Sequence, residues 1–542
     1  MAGAGPSTNR GRLTETPSGM IAYREFTREG FDVHMFERDN TPGGNWHYTE
    51  ESPLPAPIPN ADLAVGDYTP SLPPRGVPLP FTEKYTDGGD AFKTRQREHR
   101  QPKPVWQSLA SNAPAITELP WPAGTPWELT HEMLQKYMRA FASIHGVNSN
   151  DENPRVSYNT RVELVEKHFR EDGSEHGWTI TLKTLARTGL NSYEVTWRQE
   201  RFDAIVVATG RFNAPYIPTI PGLSGWNSRF GDRISHARAY RRPEPYANET
   251  ILIVGAANSG SEIARDLITG AKKIYQSIRP DNSSAPHFEL GRFLGRIPQN
   301  VTVIPEINRF QQILQSESFS DGKIELKNGS YHNSSIGLDE WAPKGSKQPL
   351  VTDGTHIRSL HLDLFYIEEP TIGFLNSKVP FGLNLGMQSF VYAEYLSLAL
   401  AKVWSNTAKL PSAEEQWRLH RERIERQGGY GRHFQFLGAK RTDEMTRFFI
   451  GWLNAAAVKF GGRQIDRPPN GNDEVVKLWA ARQFGDHIHL TVQQSKSHLT
   501  DDPFALDIDT ILDILFNDNC YTKNITAIQL QQLLNITIGN KR

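Results

Sequence analysis

The sequence predicts an α/β protein with two doubly wound, Rossmann-like dinucleotide-binding domains, the second inserted into the first. A strand, a glycine loop and a helix follow one another at residues 250–267, and an interrupted version of this pattern occupies the first 38 residues. The apolar run at residues 202–210 is typical of a buried parallel strand. At 542 residues, the chain is long enough for several hydrophobic cores.

Composition narrows the kinds of partner to expect. The 60 Lys and Arg residues balance 61 Asp and Glu residues, so no excess charge attracts nucleic acid or an anionic membrane. A small-molecule partner is therefore expected. The single cysteine, Cys520, excludes a disulfide framework and a multi-cysteine metal site within one chain, and no metal is predicted.

Hydropathy and the first residues indicate where the protein works. No run approaches the roughly 18 apolar residues of a membrane span, and the mean hydropathy is −0.54. The opening MAGAGPSTNRGR lacks the apolar stretch that directs export. We therefore expect a cytoplasmic protein without a membrane span, and nothing in the sequence indicates its oligomeric state.

The sharpest motif is VGAANSG, which follows an apolar strand. Gly255 permits a tight turn, and Gly260 allows the next helix to pack closely on the strand. Ala257 stands where a second glycine would let the backbone approach a pyrophosphate. The helix begins at Asn258 and Ser259, whose N–H groups would face the phosphates.

The next strand carries a possible signal for the type of nicotinamide cofactor. Ser277 and Arg279 lie at its end, where a cation would pair with the 2′-phosphate of NADPH. A surface arginine on a loop is the competing interpretation. The sequence alone leaves both open.

The N-terminal glycine loop is interrupted. Gly3, Gly5 and Ser7 begin a dinucleotide loop, but residues 8–18 intervene before Gly19 resumes the helical pattern. Removing that segment restores GAGPSGM, a G-x-G-x-x-G pattern. No strand precedes Gly3, so we expect the first strand of this unit to be missing.

One strand end and two further turns are predicted to bind the same nucleotide. Glu37 ends the strand-like FDVHMFE, where an acid would bind a ribose hydroxyl. A second tight turn follows with cofactor-binding candidates Gly44, Asn45 and Trp46. The third candidate turn is Thr209–Gly210, at the end of the VVATG strand.

These pieces resemble class B flavin-containing monooxygenases, particularly fungal members of secondary-metabolite pathways. The matching stretches, spread over roughly residues 1–430, are GAGPS…SGM, FER-x₄-GGNW, LASNAP, WPAGTPW, VVATG, FGDRISHARAY and VGAANSG. The family's F-x-G-x-x-x-H-x-x-x-Y/F fingerprint matches at Phe230, His236 and Tyr240, but Asp232 stands in its glycine position.

The resemblance implies an enzyme that uses FAD, NADPH and O₂. NADPH would reduce FAD, and a flavin C4a-hydroperoxide would pass one oxygen atom to a small organic molecule. Asn112 would bind near the reacting edge of the flavin, with a loop-capping asparagine as the alternative. His236 would order the linker between the domains, and Tyr240 favours heteroatom oxygenation over ketone insertion.

The resemblance also predicts the domain boundaries. The FAD domain would comprise residues 1–220, with an irregular excursion at 51–126, and residues 346–465. The NADPH domain at 221–345 would be inserted between these parts, and a tail of uncertain role would occupy 466–542.

The chain departs from the family in three places. The first strand, an unbroken first glycine loop and a second strand ending in Thr-Gly after residue 332 are all missing from the expected pattern. Either the written sequence keeps an intron-derived segment and omits other pieces, or the chain has lost tight FAD binding. A missing central strand would leave backbone groups unpaired and the core incomplete.

Other functions remain as alternatives. A Baeyer–Villiger monooxygenase would act on a ketone with the same cofactors. A flavin disulfide reductase is disfavoured because the chain has no Cys-x-x-Cys pair. A degenerate, noncatalytic protein on the same scaffold would bind the nucleotide NADPH without retaining flavin.

Overall fold

The fold is mixed α/β, as the sequence predicts, in a computed structural model of the chain. The structure describes residues 10–13, 16–58, 69–100, 102, 110–112, 116–126, 128–210, 215, 217–256, 258–278, 297–313, 318–327, 357–375, 385–427, 429, 434–435 and 438–465. The chain divides into two compact units, residues 1–464 and 465–542. The predicted tail at 466–542 lies outside the described residues.

The first unit contains both helices and strands. The described α-helices are α1 Pro17–Arg28, α2 Gly89–Arg100, α3 His131–Ile144, α4 Leu223–Phe230, α5 Asn258–Leu267, α6 Leu385–Trp404, α7 Ala413–Arg426 and α8 Gly438–Phe460. The described strands are β1 Arg10–Leu13, β2 Asp32–Phe36, β3 Phe81–Tyr85, β4 Ala110–Asn112, β5 Glu128–Thr130, β6 Val156–Ser157, β7 Thr160–Phe169, β8 Glu175–Arg187, β9 Tyr193–Phe202, β10 Ala204–Val207, β11 Thr250–Val254, β12 Lys273–Ile278, β13 Thr302–Pro305, β14 Ile307–Phe310, β15 Ile324–Leu326, β16 Leu360–His361, β17 Phe365–Tyr366 and β18 Ile372–Phe374. No described helix is long and apolar enough to cross a membrane.

The largest sheet has seven strands in the order β16-β17-β18-β10-β1-β2-β6. Strand β1 lies in its centre and pairs in parallel with β10 and β2; Gly11 is opposite both Ala204 and Val33. The expectation of a missing first strand is therefore wrong. Residues 10–13, from the supposed insertion, fill that place through backbone hydrogen bonds, which require no apolar pattern.

The opposite flank of β10 is also paired. Strand β18 runs parallel to β10, with Val206 opposite Gly373. A Cβ added to Gly373 would lie 2.5 Å from a methyl carbon of Leu400 on α6, so glycine lets this helix pack against the sheet. The expected second Thr-Gly strand would follow residue 332, and residues 333–356 lie outside the described residues.

The glycine motif at 250–267 belongs to a separate sheet. Strands β11, β12 and β13 are parallel and neighbours in that order. Helix α5 packs with them through a cluster that includes Tyr240, Ile263, Ala264, Leu267 and Ile274. The predicted strand–loop–helix unit is thus present.

The excursion at 51–126 is more regular than its sequence indicates. Strand β3 joins β9, β8 and β7 in a four-stranded antiparallel sheet, and α2 follows it. Strands β4 and β5 form a two-stranded sheet, and β14 and β15 form another. The pairing partners are distant in sequence, so local periodicity does not indicate them.

Candidate functional site

The first strand–helix turn is closed by Thr16. Its hydroxyl caps α1 by accepting a hydrogen bond from the Gly19 amide at 3.2 Å, and it donates to the Ala208 carbonyl at 2.5 Å. Gly19 lies buried in the first turn of α1. This turn follows β1, so the helix starts from Thr16 and not from the earlier glycine loop. Gly3, Gly5 and Ser7 lie outside the described residues.

The Gly-Gly-Asn-Trp turn lies against Thr16. Gly44 has φ +56°, and a Cβ there would lie 3.2 Å from the Thr16 methyl carbon. The Asn45 carbonyl lies 3.4 Å from His131 Nε2, and the Trp46 ring lies 5.8 Å from the His131 ring. The predicted contact of residues 44–46 with a cofactor stays a prediction.

Glu37 lies at the carboxyl end of β2, next to β1. Its side chain is buried, and its Oε1 accepts the Asp39 amide at 2.9 Å. Its own amide donates to the Ser157 carbonyl at 2.9 Å. A fixed carboxylate at this strand end fits the acid that holds a ribose hydroxyl in doubly wound sheets.

A third turn completes this edge of the sheet. Gly210 has φ +73°, and an added Cβ would meet no atom within 4 Å. The exposed Thr209 hydroxyl donates to the Gly210 carbonyl at 3.3 Å. Because Ala208 is bonded to Thr16, this turn adjoins the start of α1.

These three turns form one candidate flavin site, and most of its residues fit a dinucleotide. Glu37 supplies the buried carboxylate, and Gly44 and Gly210 provide left-handed backbone turns. Thr16 is the departure, since a side chain occupies the turn where glycine would let a pyrophosphate approach the helix.

The second strand–helix turn has the expected glycine geometry. Gly255 has φ +102° with open space around an added Cβ. A Cβ at Gly260 would lie 2.4 Å from the Gly255 carbonyl oxygen, so only glycine lets α5 approach the loop. The Gly255 carbonyl also accepts a hydrogen bond from the side-chain Nε2 of Gln276 at 2.8 Å. Asn258 starts α5, and Ser259 is exposed beside it.

Of the two residues predicted to select NADPH, the structure describes only Ser277. Ser277 is buried on β12, and its hydroxyl donates to the Pro305 carbonyl on β13 at 2.9 Å. Contact with a phosphate would require this bond to break. Arg279 lies outside the described residues, so the role of both residues stays a prediction.

The fingerprint residues lie in packing and linker positions. His236 caps the short 3₁₀ helix at Ala237–Ala239, where its Nδ1 accepts the Arg238 amide at 3.1 Å. Burial, with the charge of Arg238, lowers the pKa of His236 and keeps it neutral. Tyr240 donates to Asp266 Oδ2 at 2.5 Å. The Phe230 ring, at the end of α4, lies 5.5 Å from that of Phe319.

Comparison with known proteins decides the family. The profile described as "FMO-like: Flavin-binding monooxygenase-like" matches residues 80–353. The chain belongs to this family. It is a flavin-dependent monooxygenase, and the predicted FAD flavoprotein is confirmed at this level.

Two relatives share most of this monooxygenase's length. The flavin-containing monooxygenase iboF of Amanita muscaria is 49% identical over 484 residues, 83% of this chain and 88% of iboF. The flavin-containing monooxygenase ustF2 of Aspergillus flavus is 29% identical over 496 residues, 84% of this chain and 93% of ustF2. The resemblance to fungal family members is therefore confirmed.

Solved structures show the same fold. S-allyl-L-cysteine S-oxygenase of Allium sativum gives a TM-score of 0.53 at 18% identity, covering 95% of this chain and 99% of its own. Tmm of Pelagibacter sp. strain HTCC7211 gives 0.52 at 17% identity, covering 89% and 90%. At these identities the comparison concerns the fold alone.

Asn112 is placed by its backbone only. It ends β4 opposite Glu128 of β5, and β5 leads directly into α3 through the cap residue Thr130. Its side chain lies outside what the structure describes. The predicted contact with flavin therefore stays a prediction.

Sequence reasoning missed the arginines that hold the segment after the Gly-Gly-Asn-Trp turn. Arg241 is buried and donates to the Glu51 carbonyl at 2.6 Å, and Arg238 donates to the Leu54 carbonyl at 2.8 Å. Arg97 of α2 donates to the Ser52 carbonyl at 2.7 Å. Arginines in a charged run usually face solvent, so the sequence carries no signal for these contacts.

Within the described residues, no cluster of three or more His, Cys, Asp or Glu side chains is arranged to hold a metal ion. The described ionisable groups at the candidate flavin site are few. Burial lowers the pKa of His131, which keeps this ring neutral beside Trp46. The described part of the site thus comprises backbone turns, the buried carboxylates of Glu37 and Asp39, and the rings of Trp46 and His131.

Proposed function

We propose that this monooxygenase uses FAD and NADPH to transfer one oxygen atom from O₂ to a small organic molecule in a secondary-metabolite pathway. The observation that carries the proposal is the pair of strand–helix turns, one beside Glu37 and one at Gly255–Gly260. Each has the features of a dinucleotide site at the carboxyl ends of parallel strands. The names of the fungal relatives support the flavin chemistry.

The sheet order supports a nicotinamide domain inserted into the flavin domain. Strands β10 and β18 are neighbours in the large sheet, yet the whole β11–β13 sheet lies between them in the sequence. We therefore assign residues 1–220 and 346–465 to FAD and 221–345 to NADPH.

The predicted site residues then take the following tasks. Glu37 holds the ribose of FAD, and the turns at Gly44 and Gly210 border the dinucleotide. Gly255 and the start of α5 at Asn258–Ser259 receive the pyrophosphate of NADPH. Asn112 orients the reacting edge of the flavin and the nicotinamide ribose.

Bound and reduced FAD supplies the chemistry, by activating O₂ for transfer of one oxygen atom. The protein's residues bind, orient and exclude water. The C4a-hydroperoxide expected from the resemblance stays a prediction. A nucleophilic nitrogen or sulfur is the proposed acceptor, and ketone insertion is the alternative within the same chemistry.

One observation favours a second candidate function. Thr16 fills the first turn and caps α1, so a pyrophosphate must compete with this side chain. If the Thr16 side chain excludes the pyrophosphate from this turn, the chain would be a noncatalytic protein that binds NADPH but not flavin.

The visible spectrum of the purified full chain tests the proposal. A flavin band that bleaches with NADPH without air, and passes through an adduct absorbance when air is added, supports an NADPH-dependent monooxygenase. Protein that stays colourless after incubation with added FAD overturns the proposal for this polypeptide and supports the noncatalytic alternative. A flavin band that NADPH does not bleach contradicts the assignment of NADPH.

A further inference from the structure

Asn159 occupies a left-handed backbone position between β6 and β7. Its φ is +50°, a conformation that costs free energy for residues other than glycine unless their surroundings hold them. Its amide donates to the Asp39 carbonyl at 2.8 Å. Its carbonyl accepts the Leu185 amide at 3.0 Å and faces His99 Nε2 at 2.9 Å. The surrounding structure therefore uses every backbone group of this residue.

The last turn of α2 binds the same asparagine. Arg100 donates to Asn159 Oδ1 from Nε at 3.1 Å and from Nη2 at 2.6 Å, a two-pronged contact. Arg161 on β7 donates to the Glu98 carbonyl at 2.8 Å, which fixes the end of α2. We call Asn159, His99 and Arg100 the Asn159 clamp.

His99 contributes to the clamp as a neutral ring. It is buried, and burial together with the charge of Arg161 lowers its pKa to about 3. A neutral imidazole that faces the Asn159 carbonyl through Nε2 donates its proton there. The clamp therefore keeps the same hydrogen bonds through the neutral pH range.

The clamp reaches Glu37 in two steps. Asn159 holds the Asp39 carbonyl, and the Asp39 amide in turn donates to Glu37 Oε1 at 2.9 Å. The next residue, Thr160, donates its amide to the Glu37 carbonyl at 2.8 Å. The orientation of the Glu37 carboxylate thus depends on the β6–β7 connection that α2 holds in place.

We propose that the Asn159 clamp is a positioning device that orients Glu37 toward the ribose of FAD and so sets the affinity for flavin. The inference rests on the proposed role of Glu37. None of the clamp residues touches the cofactor in this proposal; they act through the Glu37–Asp39 loop. Helix α2, from the irregular excursion, thereby serves the nucleotide site.

Asn159→Gly is the discriminating variant. Glycine keeps the left-handed backbone without strain and removes only the contact with Arg100. Asn248→Gly is the matched control, because Asn248 is also left-handed, at φ +61°, but is exposed and lies between the fingerprint and β11. The FAD dissociation constant and the melting temperature of the apoprotein are measured for both variants.

We expect Asn159→Gly to raise the FAD dissociation constant about tenfold, the equivalent of about 1.4 kcal/mol for a lost hydrogen bond to a charged group. Asn248→Gly should leave it unchanged. Because the clamp acts through Glu37, the double variant with Glu37→Gln should bind FAD no more weakly than Glu37→Gln alone.

The outcomes separate this inference from the proposed function. If Asn159→Gly lowers the melting temperature but leaves FAD affinity unchanged, the clamp is merely structural and the inference is wrong. Additive losses in the double variant also overturn it, because they show that Asn159 does not act through Glu37. If the natural sequence binds no FAD, the proposed function itself fails, and the inference fails with it.

Discussion

The two strand–helix turns of this protein are closed by different contacts. In the first, the Thr16 side chain caps α1 and ties it to β10. In the second, Gly260 lets α5 lie against the Gly255 carbonyl without any side chain between them. A turn closed by a side chain leaves less room for a ligand than a turn closed by backbone contact. The difference makes the first turn the weak point of the proposed FAD site.

The helices that follow the two turns are also stabilised by different contacts. Helix α5 is held by apolar side chains, whereas α1 carries a buried ion network around Arg24. Arg24 contacts Glu25, Glu118 and Glu394 at 2.9, 3.0 and 2.7 Å, respectively. Glu25 also accepts Arg463 at 2.7 Å. Helix α1 therefore depends on a buried ion network, whereas the Arg265–Glu262 ion pair of α5 is partly exposed.

Removing the central charge of this network should have the largest effect. Arg24→Met leaves Glu394 buried without its cation and Glu25 with Arg463 as its remaining close partner, which we expect to cost about 3–5 kcal/mol of unfolding free energy. Urea unfolding measures the loss. Arg28→Ala is the control, because Arg28 also contacts Glu118 but is partly exposed, so its loss should stay below about 1 kcal/mol. Equal losses would show that burial of the network contributes nothing.

Closing the second turn should have the next largest effect. The Cβ of Gly260→Ala would meet the Gly255 carbonyl oxygen at 2.4 Å, so the helix or loop must move, at a cost of about 1–3 kcal/mol. The KM for NADPH should rise while the FAD dissociation constant stays unchanged. Gly270→Ala is the control just after α5, because an added Cβ there meets nothing within 4 Å. A change in FAD affinity alone would contradict the assignment of the two turns.

The sequence predicts the second strand–helix turn but not the strand that precedes the first. Gly255 and Gly260 were identified from spacing, because backbone conformation and close approach both depend on local sequence. Strand β1 could not be identified in this way, because Arg-Gly-Arg-Leu has no apolar alternation, although its backbone pairs with β10 and β2. The sequence therefore predicts a missing strand where the structure has one.

The candidate flavin site shows the same division. The sequence predicts Glu37 from its place at a strand end, and the structure puts it just after the carboxyl end of β2 in the large sheet. Asn159 and Arg241 were not predicted, because their contacts join segments that are distant in sequence. Such contacts leave no period or motif in the sequence around either partner.

Changing Thr16 tests directly whether the first turn can be made to resemble the second. Thr16→Val keeps the bulk but loses the cap, at a cost of about 1 kcal/mol. Thr16→Gly should lose only a few tenths of a kcal/mol from the cap, because glycine is a tolerated cap, and it removes the side chain from the turn. Both variants also lose the hydrogen bond to the Ala208 carbonyl, at a further cost of about 1 kcal/mol. We expect Thr16→Gly to lower the FAD dissociation constant and Thr16→Val not to. Weaker FAD binding by both variants would show that the Thr16 hydroxyl supports the site.

The smallest expected effect is an acid sensitivity of the ion network around Arg24. Burial raises the pKa of Glu118, but hydrogen bonds and charges from Arg24, His145 and Arg28 outweigh it and hold the pKa at about 2. A carboxylate with a lowered pKa stabilises the fold above its unfolded pKa, and that contribution is lost as pH falls from about 4.5 toward 2. Glu118 is partly exposed, so the contribution should not exceed about 1 kcal/mol. Glu118→Gln should therefore be slightly less stable than the natural sequence at pH 6, and the difference between their melting temperatures should shrink as pH falls through this window. A difference that stays constant down to pH 3 would show that the Glu118 carboxylate does not stabilise the first unit through its charge.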